Sequence, residues 1–146
     1  MRRIPRWLIF TAAVLALIAG ALTSIGLGTV RQSFPAVSGQ AIVPGLGGSV
    51  EVLRDAYGVP QIYADNAEDL FEAQGFVQAQ DRFYEMDFRR HLSAGRLSEL
   101  FGDSQFERDA YLRTLGWRRV AEQELALLAP STRRYLDAYA SGVNTT

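Results

Sequence analysis

Asn66-Ala67-Glu68-Asp69-Leu70-Phe71-Glu72-Ala73-Gln74-Gly75-Phe76-Val77-Gln78-Ala79-Gln80-Asp81-Arg82 reads as the opening of a long helix. Asp65 and Asn66 are good N-cap residues, and Glu68, Asp69 and Glu72 put negative charge where the helix dipole is positive. Projected at about 100° per residue, Leu70, Ala73, Val77, Tyr84 and Phe88 form one stripe, and Phe76, Ala79, Phe83 and Met86 form a second on nearly the opposite side. The pattern predicts a helix from about Ala67 to Leu92, closed by Gly95. Apolar on two faces, it needs partners on both and belongs inside a layered domain. Gly75 at mid-helix costs roughly 1 kcal/mol against alanine, which is tolerable if another backbone packs there.

Asp81 lies within the first stripe, four residues after Val77 and three before Tyr84. A carboxylate in an apolar stripe needs a cation or hydrogen bonds, because an unpaired buried charge is very costly. It is therefore expected to be a structural node, bonded either to an arginine such as Arg54 or Arg96 or to backbone amides, rather than a general base. Arg82, Arg89 and Arg90 read as pairing at helical spacing, as Glu85 to Arg89 allows, and not as substrate ligands. His91, beside Arg90 near the helix end, reads as a capping or surface histidine.

Upstream, Val50, Val52 and Arg54 alternate with Glu51 and Leu53 as in a short strand, and Gln61 to Ala64 offers a second. Between them, Asp55 can bond back to its following backbone, Gly58 can take a positive φ, and Pro60 forces Val59 into an extended conformation. A β-hairpin is the expected result. Downstream, Arg96 to Phe101 makes about one further turn before Gly102-Asp103 breaks the chain. A second helix is expected from Asp109 to about Leu128, with Trp117, Ala121, Leu125 and Leu128 on one face and Gly116 as an irregularity. Pro130 interrupts it, and a third helix from about Ser131 carries Tyr135, Tyr139 and Val143, with no stop signal before Thr146. The fold class is α+β: mostly helical, led by a short hairpin.

The first 31 residues read as an address. Arg2, Arg3 and Arg6 precede an uncharged run from Trp7 to Val30, and Arg31 follows it. As a helix, 24 residues reach ~36 Å, enough to cross a hydrocarbon core of ~30 Å. The basic flank orients the N-terminus to the cytoplasm, so the remainder is expected to be exported. Two readings stand: a membrane anchor through residues 7–30, and a signal peptide cut near Ala21, since Ala19-Gly20-Ala21 has a small-x-small form. Residues 32–49, rich in Gly, Pro and Ser, read as a linker, and the folded part is assigned to residues 50–146.

The formal charge of −1 hides an asymmetry, with four arginines and no acid up to residue 50, then eleven arginines against sixteen acids. An acidic exported part does not point to a nucleic-acid partner, which needs clustered positive charge. Cysteine is absent and histidine occurs once, which excludes a disulfide framework, a thiol nucleophile and a Cys/His zinc site.

Taken in order, Arg54-Asp55-x-Tyr57-Gly58-Val59-Pro60-x-Ile62-x-Ala64, Asp69-Leu70, Gly75-Phe76-Val77-x-Ala79-Gln80-Asp81-Arg82, Met86, Arg89-Arg90, Gly95-Arg96-Leu97 and Glu99-Leu100-x-Gly102 form a pattern. Asp109, Arg113, Gly116, Ala121 and Ala138-Tyr139-Ala140-x-Gly142-Val143-Asn144 continue it. Residues 50–146 thereby resemble the beginning of the α-chain of the penicillin acylase family of N-terminal-nucleophile amidohydrolases. The resemblance implies an exported hydrolase that cuts its own precursor into α and β chains and folds as a four-layer αββα sandwich. It implies a serine nucleophile at the new N-terminus of the β-chain, whose α-amino group, with a pKa near ~8, can act as the base for its own hydroxyl. Oxyanion donors then stabilise the tetrahedral intermediate. The β-chain is the implied partner, and calcium is a cofactor of some full-length members. No catalytic, substrate-binding or metal residue carries over to this chain; Arg54, Gly58, Pro60, Asp81 and Arg82 carry over as structural residues only.

Two function classes follow. One is the opening piece of an extracytoplasmic amidase or acylase acting on an acylated amine, such as a β-lactam side-chain amide or an acyl-homoserine lactone. The other is a membrane-anchored helical interaction module without chemistry.

Overall fold

The computed structural model describes residues 5–32, 34, 35 and 37–145, and the chain divides into two compact units, Met1–Pro35 and Ala36–Thr146. The basic flank at Arg2 and Arg3 lies outside the described residues. The first unit is a helix, α1 (Arg6–Gln32), whose segment Phe10–Gln32 is long and apolar enough to cross a membrane. Two of its threonines bond back to the helix, Thr23 Oγ1 donating to the Ala19 carbonyl at 2.8 Å and Thr29 Oγ1 to that of Ile25 at 3.0 Å. Such back-bonding hides polar groups that hydrocarbon would not satisfy.

The second unit begins with an antiparallel hairpin of β1 (Glu51–Arg54) and β2 (Pro60–Tyr63), in the register Glu51↔Tyr63, Val52↔Ile62, Leu53↔Gln61, Arg54↔Pro60. Its turn follows from the sequence. Asp55 Oδ1 accepts the N–H groups of Tyr57 and Val59 at 2.8 and 2.9 Å, and Gly58 takes φ 79°. Asp55 N–H donates to the Val59 carbonyl at 3.2 Å, so by the alternation of antiparallel ladders Leu53↔Gln61 is a bonded pair, while Arg54↔Pro60 and Val52↔Ile62 point their backbone groups away from each other. Pro60 therefore stands where no ladder donor is required.

α2 (Ala67–Ala94) is the axis of this unit. Asn66 caps it, its Oδ1 accepting the Asp69 N–H at 2.8 Å. Gly95, at φ 63° and ψ 48°, ends it in a Schellman arrangement: Arg96 N–H reaches the His91 carbonyl at 2.9 Å and Gly95 N–H that of Leu92 at 3.0 Å. The helix is broken at Arg82, whose φ −141° and ψ 23° are not helical. Ala73, Val77 and Ala79 are buried in the core, joined by Leu97 and Leu112. Phe83 and Tyr84, expected to need partners, are exposed.

After α2 come α3 (Ser98–Phe101), a 3-10 turn (Gly102–Gln105), α4 (Phe106–Leu115), α5 (Trp117–Glu124), a second 3-10 turn (Leu125–Leu127) and α6 (Pro130–Asn144). The single helix expected over Asp109 to Leu128 is thus two helices, because Gly116 adopts the left-handed conformation, φ 73° and ψ 19°, between them. Pro130 does not merely interrupt. It starts α6 in its first turn, where its missing N–H leaves no intrahelical bond unmade. α6 packs across α2 with glycine on both sides: a Cβ on Gly75 would strike the Tyr139 carbonyl, and one on Gly142 the Glu72 carbonyl. Phe71 stacks on Tyr135 at 5.0 Å, and Tyr139 Oη donates to Gln78 Oε1 at 2.7 Å.

Candidate functional site

The polar residues of the second unit gather into three nodes around α2. At the first, Asp81 meets Arg54, the earlier of the two arginines considered for it. Arg54 Nη1 and Nη2 donate to Asp81 Oδ2 and Oδ1 at 2.8 and 2.9 Å, and Nη1 also reaches the Gly58 carbonyl at 3.1 Å. The side chains are 14% and 22% exposed. The fork binds the hairpin turn to α2 at the turn before its break. Arg82, next in sequence, is exposed to solvent, whereas Arg89 and Arg90 pair with Glu85 and Asp87 on their own helix.

The second node lies at the start of α2. Asp69 is buried, and its oxygens accept the N–H groups of Gly47 and Gly48 at 2.8 and 3.0 Å and the Asn66 amide at 2.7 Å. The Gly47 bond above all, then Asn66, hold its carboxyl below the usual aspartate range despite burial, with Gly48 adding to them. One turn on, buried Glu72 accepts Ser141 Oγ at 3.0 Å and lies against Gly45, where a Cβ would collide with its carboxylate. The glycine-rich stretch read as a linker is therefore bonded to α2 at its end.

The third node holds the α2–α3 corner. Asp109 on α4 is buried and accepts Leu97 N–H at 2.9 Å, Ser98 N–H at 2.7 Å and Ser98 Oγ at 2.6 Å. Burial pushes its carboxyl up, but the Ser98 hydroxyl, the two N–H groups and the nearby Arg113 charge together bring it below the ordinary range. Arg113 Nε donates to the Gly95 carbonyl at 2.8 Å, and Leu97, 1% exposed, fills the corner. His91 is 7% exposed and so is not a surface histidine. Its Nδ1 lies 2.9 Å from the Asp87 carbonyl, while its ring edges face Asp87 Oδ2 at 3.4 Å and Glu99 Oε2 at 3.9 Å. The packing of α3 over the end of α2 encloses it.

Two serines in these nodes donate to carboxylates, as a nucleophile would to its base. Both acceptors are committed elsewhere: Asp109 carries two backbone N–H bonds and a lowered pKa, which makes it a poor base, and Glu72 is closed over by Gly45. Among the described residues, no group of three or more His, Asp or Glu side chains is disposed to hold a metal. The nodes fix backbone; none presents a reacting atom to a cleft. Sequence reasoning found Asp81 by its misplacement in an apolar stripe but missed Asp69, Glu72 and Asp109. Their signal was paired with glycine: Gly47-Gly48, Gly45 and Gly95 sit opposite them.

The penicillin amidase family profile matches residues 49–146. The chain belongs to that family. Among characterised penicillin amidase relatives, penicillin acylase 2 proenzyme of Pseudomonas sp. strain SE83 is 36% identical over 115 residues, 79% of this chain and 15% of that protein. The acyl-homoserine lactone acylase QuiP of Pseudomonas aeruginosa is 37% identical over 113 residues, 77% of this chain and 13% of that one. A solved penicillin G acylase from Alcaligenes faecalis superposes with a TM-score of 0.60 at 33% identity, over 66% of this chain and 51% of that chain. The α+β character, mostly helical with a two-stranded hairpin, agrees with that neighbour. The chain thus spans about 15% of the length of such relatives.

Proposed function

We propose that this chain is the opening part of an exported acylase that hydrolyses linear amide bonds of acylated amines, and that it serves that enzyme as scaffold. The observation that carries the reading is the family match over residues 49–146, which coincides with the hairpin, α2 and the helices packed on it. The names of the relatives, penicillin acylases and acyl-homoserine lactone acylases, support a β-lactam side-chain amide or an acyl-homoserine lactone as substrate. The word proenzyme in one of them supports self-processing into α and β chains. In this reading the nucleophile is the N-terminal serine of a β-chain, acting through its own α-amino group, and the β-chain is the partner in a heterodimer within a four-layer αββα sandwich. Calcium is a cofactor of some full-length members of the family, and no residue of this chain is assigned to it. α1 supports delivery across the membrane, as an anchor or as a signal cut near Ala21.

The test is to express the chain with the continuation of its reading frame. Expected are two polypeptides, the second beginning with serine, and release of a chromogenic amine from an acyl anilide; residues 32–146 alone release none. Saturable release by residues 32–146 would overturn the assignment of the chemistry to a later part. A stop codon after Thr146 would leave the membrane-anchored helical interaction module as the reading.

A further inference from the structure

A cut near Ala21 and an uncut anchor do not exhaust the fates of α1. Phe10–Gln32 covers 23 residues, about 34 Å as a helix. Ala21 lies eleven residues before the end of that span, about 16 Å deep and so near the middle of a hydrocarbon core of ~30 Å. The small-x-small run Ala19-Gly20-Ala21 is held in the helix, and the Ala19 carbonyl also accepts Thr23 Oγ1 at 2.8 Å. A protease takes its substrate as an extended strand, through main-chain hydrogen bonds. Unwinding α1 at that depth would leave backbone amides unsatisfied in hydrocarbon. The first described residues of the second unit are in a different state. Val37 to Ile42 are neither helix nor strand and all are exposed, Ile42 at 93%. Among the described residues none of them makes a hydrogen bond, and the next backbone bond downstream runs from Leu46 N–H to the Val43 carbonyl. Gly39 and Gln40 border an open groove beside β1 without bonding to it.

We propose that the peptide bond between Ala41 and Ile42 is a processing site, at which a membrane-bound endoprotease that reads small side chains frees the folded unit from α1. Gly39-Gln40-Ala41 has the small-x-small form that such a protease requires before the cut, and exposed loops of small and polar residues are where chains are nicked. Hydrolysis consumes one water, turns the Ala41 carbonyl into a carboxylate and leaves Ile42 with a free α-amino group. Everything that holds the fold lies beyond the cut. Gly45 lies against Glu72, and Gly47 and Gly48 donate to Asp69, so the released chain keeps its attachment to α2. The inference rests on the export part of the acylase reading, and it moves the cut from the membrane interior to the chain outside it.

Mass spectrometry of the enzyme expressed in a bacterial host from the continued reading frame tests this. Expected is a first chain that begins at Ile42 and is recovered in the soluble extracytoplasmic fraction. A first chain that begins at Leu22, or one that keeps α1 and stays with the membrane, overturns the inference, and amide hydrolysis by either leaves the acylase reading intact. A chain cut before Ile42 that hydrolyses no acyl anilide overturns the acylase reading and leaves the processing site standing. Ala41→Leu places a bulky side chain directly before the cut, on a residue exposed to solvent, and should lower the yield of released enzyme about tenfold or more. Its activity in the membrane fraction shows that the uncut enzyme is folded. Ala21→Leu keeps α1 apolar and should release as the unsubstituted chain does. Undiminished release from Ala41→Leu, or loss of release from Ala21→Leu alone, overturns the site.

Discussion

Arg54 and Asp81 are 27 residues apart in sequence and joined by two nearly parallel N–H to O bonds. Paired forks of this kind are strong, and removing one partner leaves the other's charge poorly solvated. Arg54→Ala is expected to destabilise the fold by about 2 kcal/mol, short of the loss at a fully buried pair because both side chains keep some water contact. Asp81→Asn should cost less, and urea denaturation orders the two. Asp69 and Asp109 make a second prediction. Their folded carboxyls titrate below the ordinary range, so the stability they add is complete above the unfolded aspartate pKa of about 3.9 and is lost as pH falls through the lower folded values. The urea midpoint should fall off below about pH 4, and Asp69→Asn with Asp109→Asn should flatten that fall. Asp81 was legible because it broke a pattern; Asp69 was not, since an acid in the first turn of a helix already has a reason in the dipole.

At the scale of elements, α2 and α6 cross where glycine faces backbone on both sides. Alanine at Gly75 would add about 1 kcal/mol of helix propensity. The same methyl would push against the Tyr139 carbonyl, which cannot yield without separating the helices. Gly75→Ala and Gly142→Ala are therefore expected to destabilise by about 2 kcal/mol net, as overpacking does, whereas Gln74→Ala on the exposed side should be near neutral; chemical denaturation distinguishes them. The mid-helix glycine announced this contact in the sequence, and Asn66 and Gly95 announced the helix ends. The division of α4 from α5 was less legible: periodicity continues across Gly116, and only its left-handed backbone shows that the axis does not. His91 was misjudged for a related reason, because what buries it is α3 folding back over the helix end.

At the scale of the molecule, few large side chains among the described residues are fully enclosed, and Phe83, Tyr84, Phe106, Tyr111 and Trp117 are open to water. Exposed apolar area of this kind marks interaction surface or a liability to aggregate. Residues 32–146 alone should bind a hydrophobic dye strongly and unfold without a sharp transition, and the dye signal should fall when the continued chain is present. A cooperative transition with little dye binding would count against this. The family was legible from motif order alone, while the chemistry was not, because the motifs lie on residues that hold turns, caps and crossings together.

The glycine crossing also sets a schedule. Arg134 reaches Glu68 across 66 residues, and Ser141 reaches Glu72 across 69. Contacts this distant carry a loop-closure cost that local ones do not. A chain made N-terminus first, at roughly 5–20 residues per second, holds α2 without its closing partner for several seconds. During that interval the Arg54–Asp81 fork and the Asp69 and Asp109 nodes can already form, so α2 is tied to its hairpin and its corner before α6 arrives to close the glycine crossing.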